Sequence, residues 1–325
     1  HSELGSQAFL RRWYFVLRHG RVGHCQAKKI QMKNIIVITG GAGFVGSNLI
    51  RLFLNKTNLK IISLDNYSSG TKKNHIKNSR IIYKNGDTQN IEKILINYKK
   101  KILCLFHFGE FARIHQSFFL TEECFKSNIN GTYEVFKFCR INNIRIIYSA
   151  TSASLGNKGK DADLSPYAFT KAKNIELLNN FKKWFNFRCD VIYFYNVYGP
   201  DQIRDGFMAT VIGIFERQYL KKQALTVVRP GTQKRKFTHI EDTINACFYI
   251  FNKKKYKHYS VSFKNSYSII QIAKFFKTKI KYVAKRKGER NSSTIVQKTK
   301  GNKIINIQAK NDIKDYIANF IKKIK

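Results

Sequence analysis

At 325 residues the chain is long enough for one large or two moderate domains, and its 43% hydrophobic and 14% aromatic content excludes a disordered polymer. A formal net charge of +40 could suit nucleic acid or an anionic membrane, but the lysines run along the whole chain mixed with Asn and Ile, which weighs against a dedicated nucleic-acid face. No apolar stretch is long enough to span a bilayer, and the six scattered cysteines lack metal-like spacing, which speaks for reduced core thiols in a cytoplasmic protein and against a zinc site or disulfide framework.

Residues 1–31 carry Arg11, Arg12, Arg18 and Arg21 against Glu3 alone, have no initiating Met, and stop where Met32 opens the first strand. They read as a non-native or mistranslated leader, disordered or loosely attached, with nothing catalytic in it. Residues 32–47, MKNIIVITGGAGFVGS, then give an apolar run, a glycine turn and the start of an amphipathic helix over 48–55. Glycines let the backbone turn sharply and approach a pyrophosphate, whose charge rests on the free amides and dipole of the helix. A second apolar run at 61–64 ends in Asp65, nineteen residues after Gly46. An acid at that distance can bond the adenosine ribose hydroxyls and repels a 2′-phosphate, so the expected cofactor is NAD, not NADP.

After a polar loop over 66–78, a third strand at 80–83 leads to Asn85-Gly86-Asp87, where Asp87 is placed to reach the adenine side of a cofactor. A helix over 91–98, a strand over 102–108, a long helix over 122–139 and a strand over 144–149 follow. Strands alternating with helices imply a parallel sheet, which binds ligands at the carboxyl ends of its strands. Thr39, Asp65, Asp87, Gly109 and Thr151 all fall at such ends.

The stretch Ser165-Pro-Tyr167-Ala-Phe-Thr-Lys171 opens the next helix, with Ser165 suited to the N-cap and Pro166 to the first helical position. Tyr167 and Lys171 then share one face near the positive end of the helix dipole, where the ammonium, the helix end and a cationic cofactor all favour a phenolate that can act as a base. The stripe Ala168, Ala172, Ile175, Leu178 and Phe181 reads as core along a helix to about 184. A sixth strand spans 189–195; beyond Gly199-Pro200 the elements become shorter and mixed, with helices over 208–219 and from 312, and strands over 225–228 and 259–263. The fold class is therefore α/β: a Rossmann-type doubly wound parallel sheet over 32–200 that binds NAD. A smaller mixed α/β substrate-binding domain occupies mainly 201–325, interleaved with the first.

Together these motifs resemble the extended short-chain dehydrogenase/reductase family, NAD-dependent epimerases and dehydratases, and within it the nucleotide-sugar epimerases of the UDP-glucose 4-epimerase type. The likeness rests on TGGAGFVG at 39–46, Asp65-Asn66, Gly86-Asp87, His107-Phe108-Gly109, Asn128 to Thr132, Ser149 to Thr151, Tyr167 with Lys171, Asn196 to Pro200, Arg235 to Thr238 and Arg286 to Glu289. It implies a catalytic set of Thr151, Tyr167 and Lys171. It also implies that Gly40, Gly43, Phe44, Val45, Gly46, Asp65, Asn66, Asp87, Phe108, Gly109 and Asn128, with Tyr167 and Lys171, hold NAD. Asn196, Arg235, Arg286 and Glu289, with Thr151, would hold the substrate, a nucleotide sugar and specifically a UDP-hexose, without any metal, in a homodimer packed through helices.

The expected reaction is epimerisation at C4 through a transient 4-keto sugar. The alternatives are a 4,6-dehydratase or a decarboxylase acting on a similar substrate and, outside enzymes, a nucleotide- or RNA-binding Rossmann protein. Elimination needs an acid and a base, normally directly after the catalytic Thr, where this chain has Ser152-Ala153. Tyr193 stands where the family places an arginine. Glu110, Arg113 and His115, after the fourth strand, lie close to the expected cleft as candidates for setting substrate choice.

Overall fold

Fifteen strands and nine helices are seen in the computed structural model, which describes residues 33–152, 162–285, 298–299 and 302–324. The expected leader lies outside the described residues. The strands are β1 (Ile35–Thr39), β2 (Lys60–Asp65), β3 (Ile81–Asn85), β4 (Ile102–His107), β5 (Arg145–Thr151), β6 (Cys189–Phe194), β7 (Val197–Tyr198), β8 (Leu225–Val228), β9 (Lys234–Arg235), β10 (Thr238–His239), β11 (His258–Ser262), β12 (Tyr267–Ser268), β13 (Ile280–Val283), β14 (Lys298–Thr299) and β15 (Asn302–Gln308). The helices are α1 (Phe44–Lys56), α2 (Ile91–Leu95), α3 (Thr121–Phe125), α4 (Thr132–Ile141), α5 (Pro166–Phe185), α6 (Val211–Leu220), α7 (Ile240–Lys253), α8 (Ile269–Phe275) and α9 (Ile313–Lys322).

Eight strands form a parallel sheet in the order β15-β11-β6-β5-β4-β1-β2-β3, and β14 adds an antiparallel partner at the β15 edge. The order reverses between β1 and β4, which opens a crevice at the carboxyl ends of the two strands. Alternation along β1 builds both faces: Ile35 and Val37 join one core, Ile36 and Ile38 the other. The first core packs against Phe136 of α4 and Ile175, Leu178 and Phe181 of α5; the second packs against Leu49 and Phe53 of α1 and Cys247 and Ile250 of α7. A third cluster joins Phe215 of α6, Leu225 and Val227 of β8, Ile272 of α8 and Ile317 of α9.

Two expected helices differ in the structure. The long helix over 122–139 is broken into α3 and α4 by a π-helical turn, Lys126–Gly131. Inside that turn Asn128 bonds across to another segment: its Oδ1 accepts from Phe111 N at 2.7 Å and its Nδ2 donates to Thr170 Oγ1 at 3.0 Å. Such wide turns are rare and appear mostly as single turns inside α-helices. The helix expected over 208–219 starts at Val211 instead, capped by Thr210, whose hydroxyl accepts from Gly213 N at 3.2 Å. The carbonyls of Phe207 and Met208 are bonded to side chains from outside the helix, at 2.5 Å by Gln116 and at 2.8 Å by Arg113, and the two residues form a turn closed by Ala209 N donating to Gly206 O at 3.2 Å.

Candidate active site

The glycine turn follows β1 directly. Gly40 has a φ of +70°, and a Cβ on it would sit 2.8 Å from the Phe108 carbonyl carbon; one on Gly46 would sit 2.2 Å from the Gly40 carbonyl oxygen. Only glycine allows both the turn and the close contact. Gly43 caps α1 without a side-chain bond, and the first turn holds no acid, so the free amides and dipole of that helix face an incoming anion. At the end of β2, Asp65 accepts from Ala42 N at 2.9 Å and Tyr67 N at 2.8 Å. Burial raises its pKa while these two bonds oppose the shift. Asn66 donates to Asp87 at 2.7 Å, joining the ends of β2 and β3 into one wall.

A cleft of about 840 Å³ runs from this turn across the switch point. It is lined by Gly40, Gly43, Phe44, Val45, Gly46, Asp65, Asn66, Asp87, Phe108 and Gly109, then by Thr151, Tyr167 and Lys171, and further on by Asn196 and Arg235. Asn128 is placed elsewhere: it is fully buried and spends its amide on Phe111 and Thr170. Arg286 and Glu289 lie outside the described residues.

Ser165 caps α5 by accepting from Ala168 N at 3.1 Å, which fixes the start of the helix and with it the position of Tyr167. Tyr167 N also donates to Ser117 Oγ at 3.2 Å. Lys171 donates to Ser149 O at 2.7 Å, next to the end of β5 that carries Thr151, and forms a buried ion pair with Glu110. Glu110 is a hub: besides Lys171 it accepts from Tyr148 Oη at 3.1 Å, Thr132 Oγ1 at 3.0 Å and Asn174 Nδ2 at 3.1 Å. Behind it His107 bridges Thr39 Oγ1 at 2.7 Å and Thr132 Oγ1 at 3.0 Å, and burial pushes its pKa down to about 4. Sequence reading placed Glu110 near the cleft but had no means of pairing it with a lysine sixty-one positions on.

The cleft is also lined by Arg113, whose Nε donates to Met208 O and whose Nη1 donates to Ala112 O, both at 2.8 Å. Burial lowers its pKa, with Tyr167 close enough to oppose the shift. Among the described residues no group of three or more His, Cys, Asp or Glu side chains could hold a metal. No described helix is long and apolar enough to cross a membrane.

The sequence profile of the NAD-dependent epimerase/dehydratase family matches residues 36–262. The chain belongs to this family. An uncharacterized UDP-glucose epimerase of Bacillus subtilis is 27% identical over 237 residues, covering 67% of this chain and 72% of the relative. A UDP-glucose 4-epimerase of Thermotoga maritima, solved with UDP-glucose, superposes with a TM-score of 0.75 at 22% identity, covering 90% of this chain and all (100%) of that one. The dTDP-glucose 4,6-dehydratase of Streptomyces venezuelae, solved with NAD, gives 0.78 at 18% identity, covering 89% and 96%. As an epimerase/dehydratase family member the chain uses NAD, and its residues fit that cofactor: an uncapped helix start for the pyrophosphate and a buried acid at the end of β2 for the ribose.

Proposed function

We propose that this chain catalyses the NAD-dependent epimerisation of a nucleotide sugar, a UDP-hexose at C4, through a transient 4-keto sugar. The observation that carries this reading is the meeting of Thr151, Tyr167 and Lys171 on one wall of the cleft that also contains the glycine turn and Asp65. On this reading residues 32–200 hold the cofactor and residues 201–325 mainly the substrate, with Asn196 and Arg235 on the nucleotide diphosphate. When bound, NAD accepts and returns the reducing equivalents at the sugar carbon, so none is consumed over a turnover. Tyr167 takes the proton of the sugar hydroxyl and later returns it to the same oxygen. Thr151 hydrogen-bonds that oxygen and keeps it facing Tyr167. Lys171 uses two of its three N–H groups on Ser149 O and Glu110, which leaves one for the cofactor ribose.

Epimerisation is favoured over dehydration by the residues after Thr151. Elimination needs a positioned acid and base, and Ser152 and Ala153 supply neither. Glu110 is a poor substitute, since both of its oxygens already accept bonds from Lys171, Tyr148, Thr132 and Asn174. The buried free cysteines, Cys104, Cys124, Cys139, Cys189 and Cys247, support a reducing, cytoplasmic setting, which cell fractionation would check.

The test is product analysis of purified protein with UDP-glucose and with UDP-galactose. The expected result is interconversion without added NAD, with Tyr167→Phe slowing it at least about 100-fold while cofactor stays bound. Undiminished turnover by Tyr167→Phe would overturn the assignment, and a 4-keto-6-deoxy product would replace the reaction with dehydration.

A further inference from the structure

We infer that Arg113 is the recognition group for a carboxylate on the sugar, so that the substrate class is a nucleoside-diphosphate hexuronate. The inference rests on the nucleotide-sugar reading above and narrows it. Arg113 lines the cleft and is anchored by two backbone carbonyls, those of Met208 and Ala112. Carbonyls orient a guanidinium but carry no net charge to balance it. Among the described residues no carboxylate lies within ion-pair distance of Arg113. A guanidinium has five N–H donors, and the two carbonyl bonds leave the rest of the fork directed at no described partner. Arg113 is half-buried, so its guanidinium is partly desolvated without a counter-charge, and a bound anion would supply one.

The other charged groups in this part of the cleft differ in that respect. Lys171 is already neutralised by Glu110. His115, on the same wall two residues on, has a buried Nδ1 without a hydrogen-bond partner, which adds a second polar atom awaiting a ligand.

Position selects which anion. Tyr167 serves the C4 hydroxyl in the proposed reaction, and Arg113 is its neighbour in the cleft. On a hexopyranose the C6 substituent hangs on C5, next to C4, whereas the diphosphate leaves from C1 across the ring. A cation beside the C4 base therefore meets a C6 carboxylate, and bidentate pairing is the geometry that Arg provides for one. The same contact has a chemical use. A 4-keto hexuronate is a β-keto acid, which can lose CO2 when the C5–C6 bond breaks and its electron pair passes into the C4 carbonyl as an enolate. An ion pair holds the negative charge on the carboxylate and opposes that loss, which favours return to the epimeric hexuronate.

The experiment measures binding and turnover of UDP-glucuronate, UDP-glucose and UDP by NAD-loaded protein, in the wild type and in Arg113→Met, Arg113→Lys and Gln116→Ala. Gln116→Ala removes the neighbouring bond to Phe207 O and reports what loosening that loop does alone. The expected result is tighter binding of UDP-glucuronate than of UDP-glucose. In Arg113→Met that preference should fall by about 10- to 100-fold, the size of a lost charge-assisted bond, with Arg113→Lys in between. Gln116→Ala should leave the preference in place. A wild type that favours UDP-glucose, or an Arg113→Met variant that weakens both sugars equally, would overturn the inference, and a matching loss for UDP would move Arg113 to the diphosphate. Because binding is read separately, failure of the 4-epimerase reading looks different: the preference persists while no epimer forms, or while a UDP-pentose appears in its place.

Discussion

Lys171 and Glu110 form a pair whose value lies in what each would be without the other. Both side chains are buried, and removing one partner leaves an uncompensated charge, a change that typically costs about 3–5 kcal/mol. Glu110→Ala should therefore lower stability by that order in urea unfolding. A loss below about 1 kcal/mol would show that the lysine finds water or another partner. Histidines at the same scale set the acid limit. Burial lowers the pKa of His107 to about 4 and that of His258 to about 3. Between the ordinary histidine value near 6.5 and these folded values, the unfolded chain binds protons that the folded chain refuses, so stability falls as pH falls through the window. The slope is about 1.4 kcal/mol per pH unit for each proton. Burial moves Asp65 and Asp190 upward, which acts in the opposite sense as they take up protons. Comparing wild type with His258→Gln in urea at pH 7, 6 and 5 isolates one histidine, and an unchanged slope would exclude His258 from the effect.

At the scale of elements, the turn between β1 and α1 couples fold and cofactor. Gly46 lies against the Gly40 carbonyl, so Gly46→Ala must push backbone against backbone. Overpacking of this kind costs about 1–3 kcal/mol. Because the displaced atoms belong to the pyrophosphate cradle, NAD retention after gel filtration should fall together with the melting temperature; a variant that keeps its cofactor would show that the turn can yield. This part of the molecule was legible because strand, turn and acid lie within thirty-one residues, Ile35 to Asp65, and depend on local backbone rules. Seven of the eight parallel strands, β1 to β6 and β11, followed from apolar runs for the same reason; β15 was missed because its residues are mostly exposed, and the run at 225–228 pairs with β13 outside this sheet. What stayed hidden depends on contacts distant in sequence. The π-turn at Lys126–Gly131 interrupts a segment whose pattern reads as one helix, and its cause is a bond from Asn128 to Phe111. The late start of α6 likewise reflects Arg113 and Gln116 reaching over ninety positions to hold Met208 and Phe207. No hydrophobic period encodes such bonds.

At the scale of the whole molecule, charge and apolar surface pull in opposite directions. The sequence has 60 basic and 20 acidic residues, a balance that attracts an anionic sugar nucleotide and repels a second copy of the chain. Yet Phe125, Tyr133, Ile141, Phe169 and Trp184, all on α3, α4 and α5, are exposed. Isolated exposed apolar residues need no explanation, but several on three neighbouring helices lead us to propose a homodimer packed through those helices. The two effects should respond oppositely to salt. Screening shortens the reach of the positive field to about 8 Å at physiological ionic strength, so kcat/KM for a UDP-sugar should fall as NaCl is raised from 20 to 300 mM. Self-repulsion between copies is screened by the same ions, so the proposed dimer should hold or tighten over that range in sedimentation velocity. Trp184→Glu places a further charge within the proposed interface and should shift the protein toward monomer without altering the salt dependence of substrate capture. A wild type that sediments as a monomer at every salt concentration would remove the dimer from this account and leave the helix faces to a different partner.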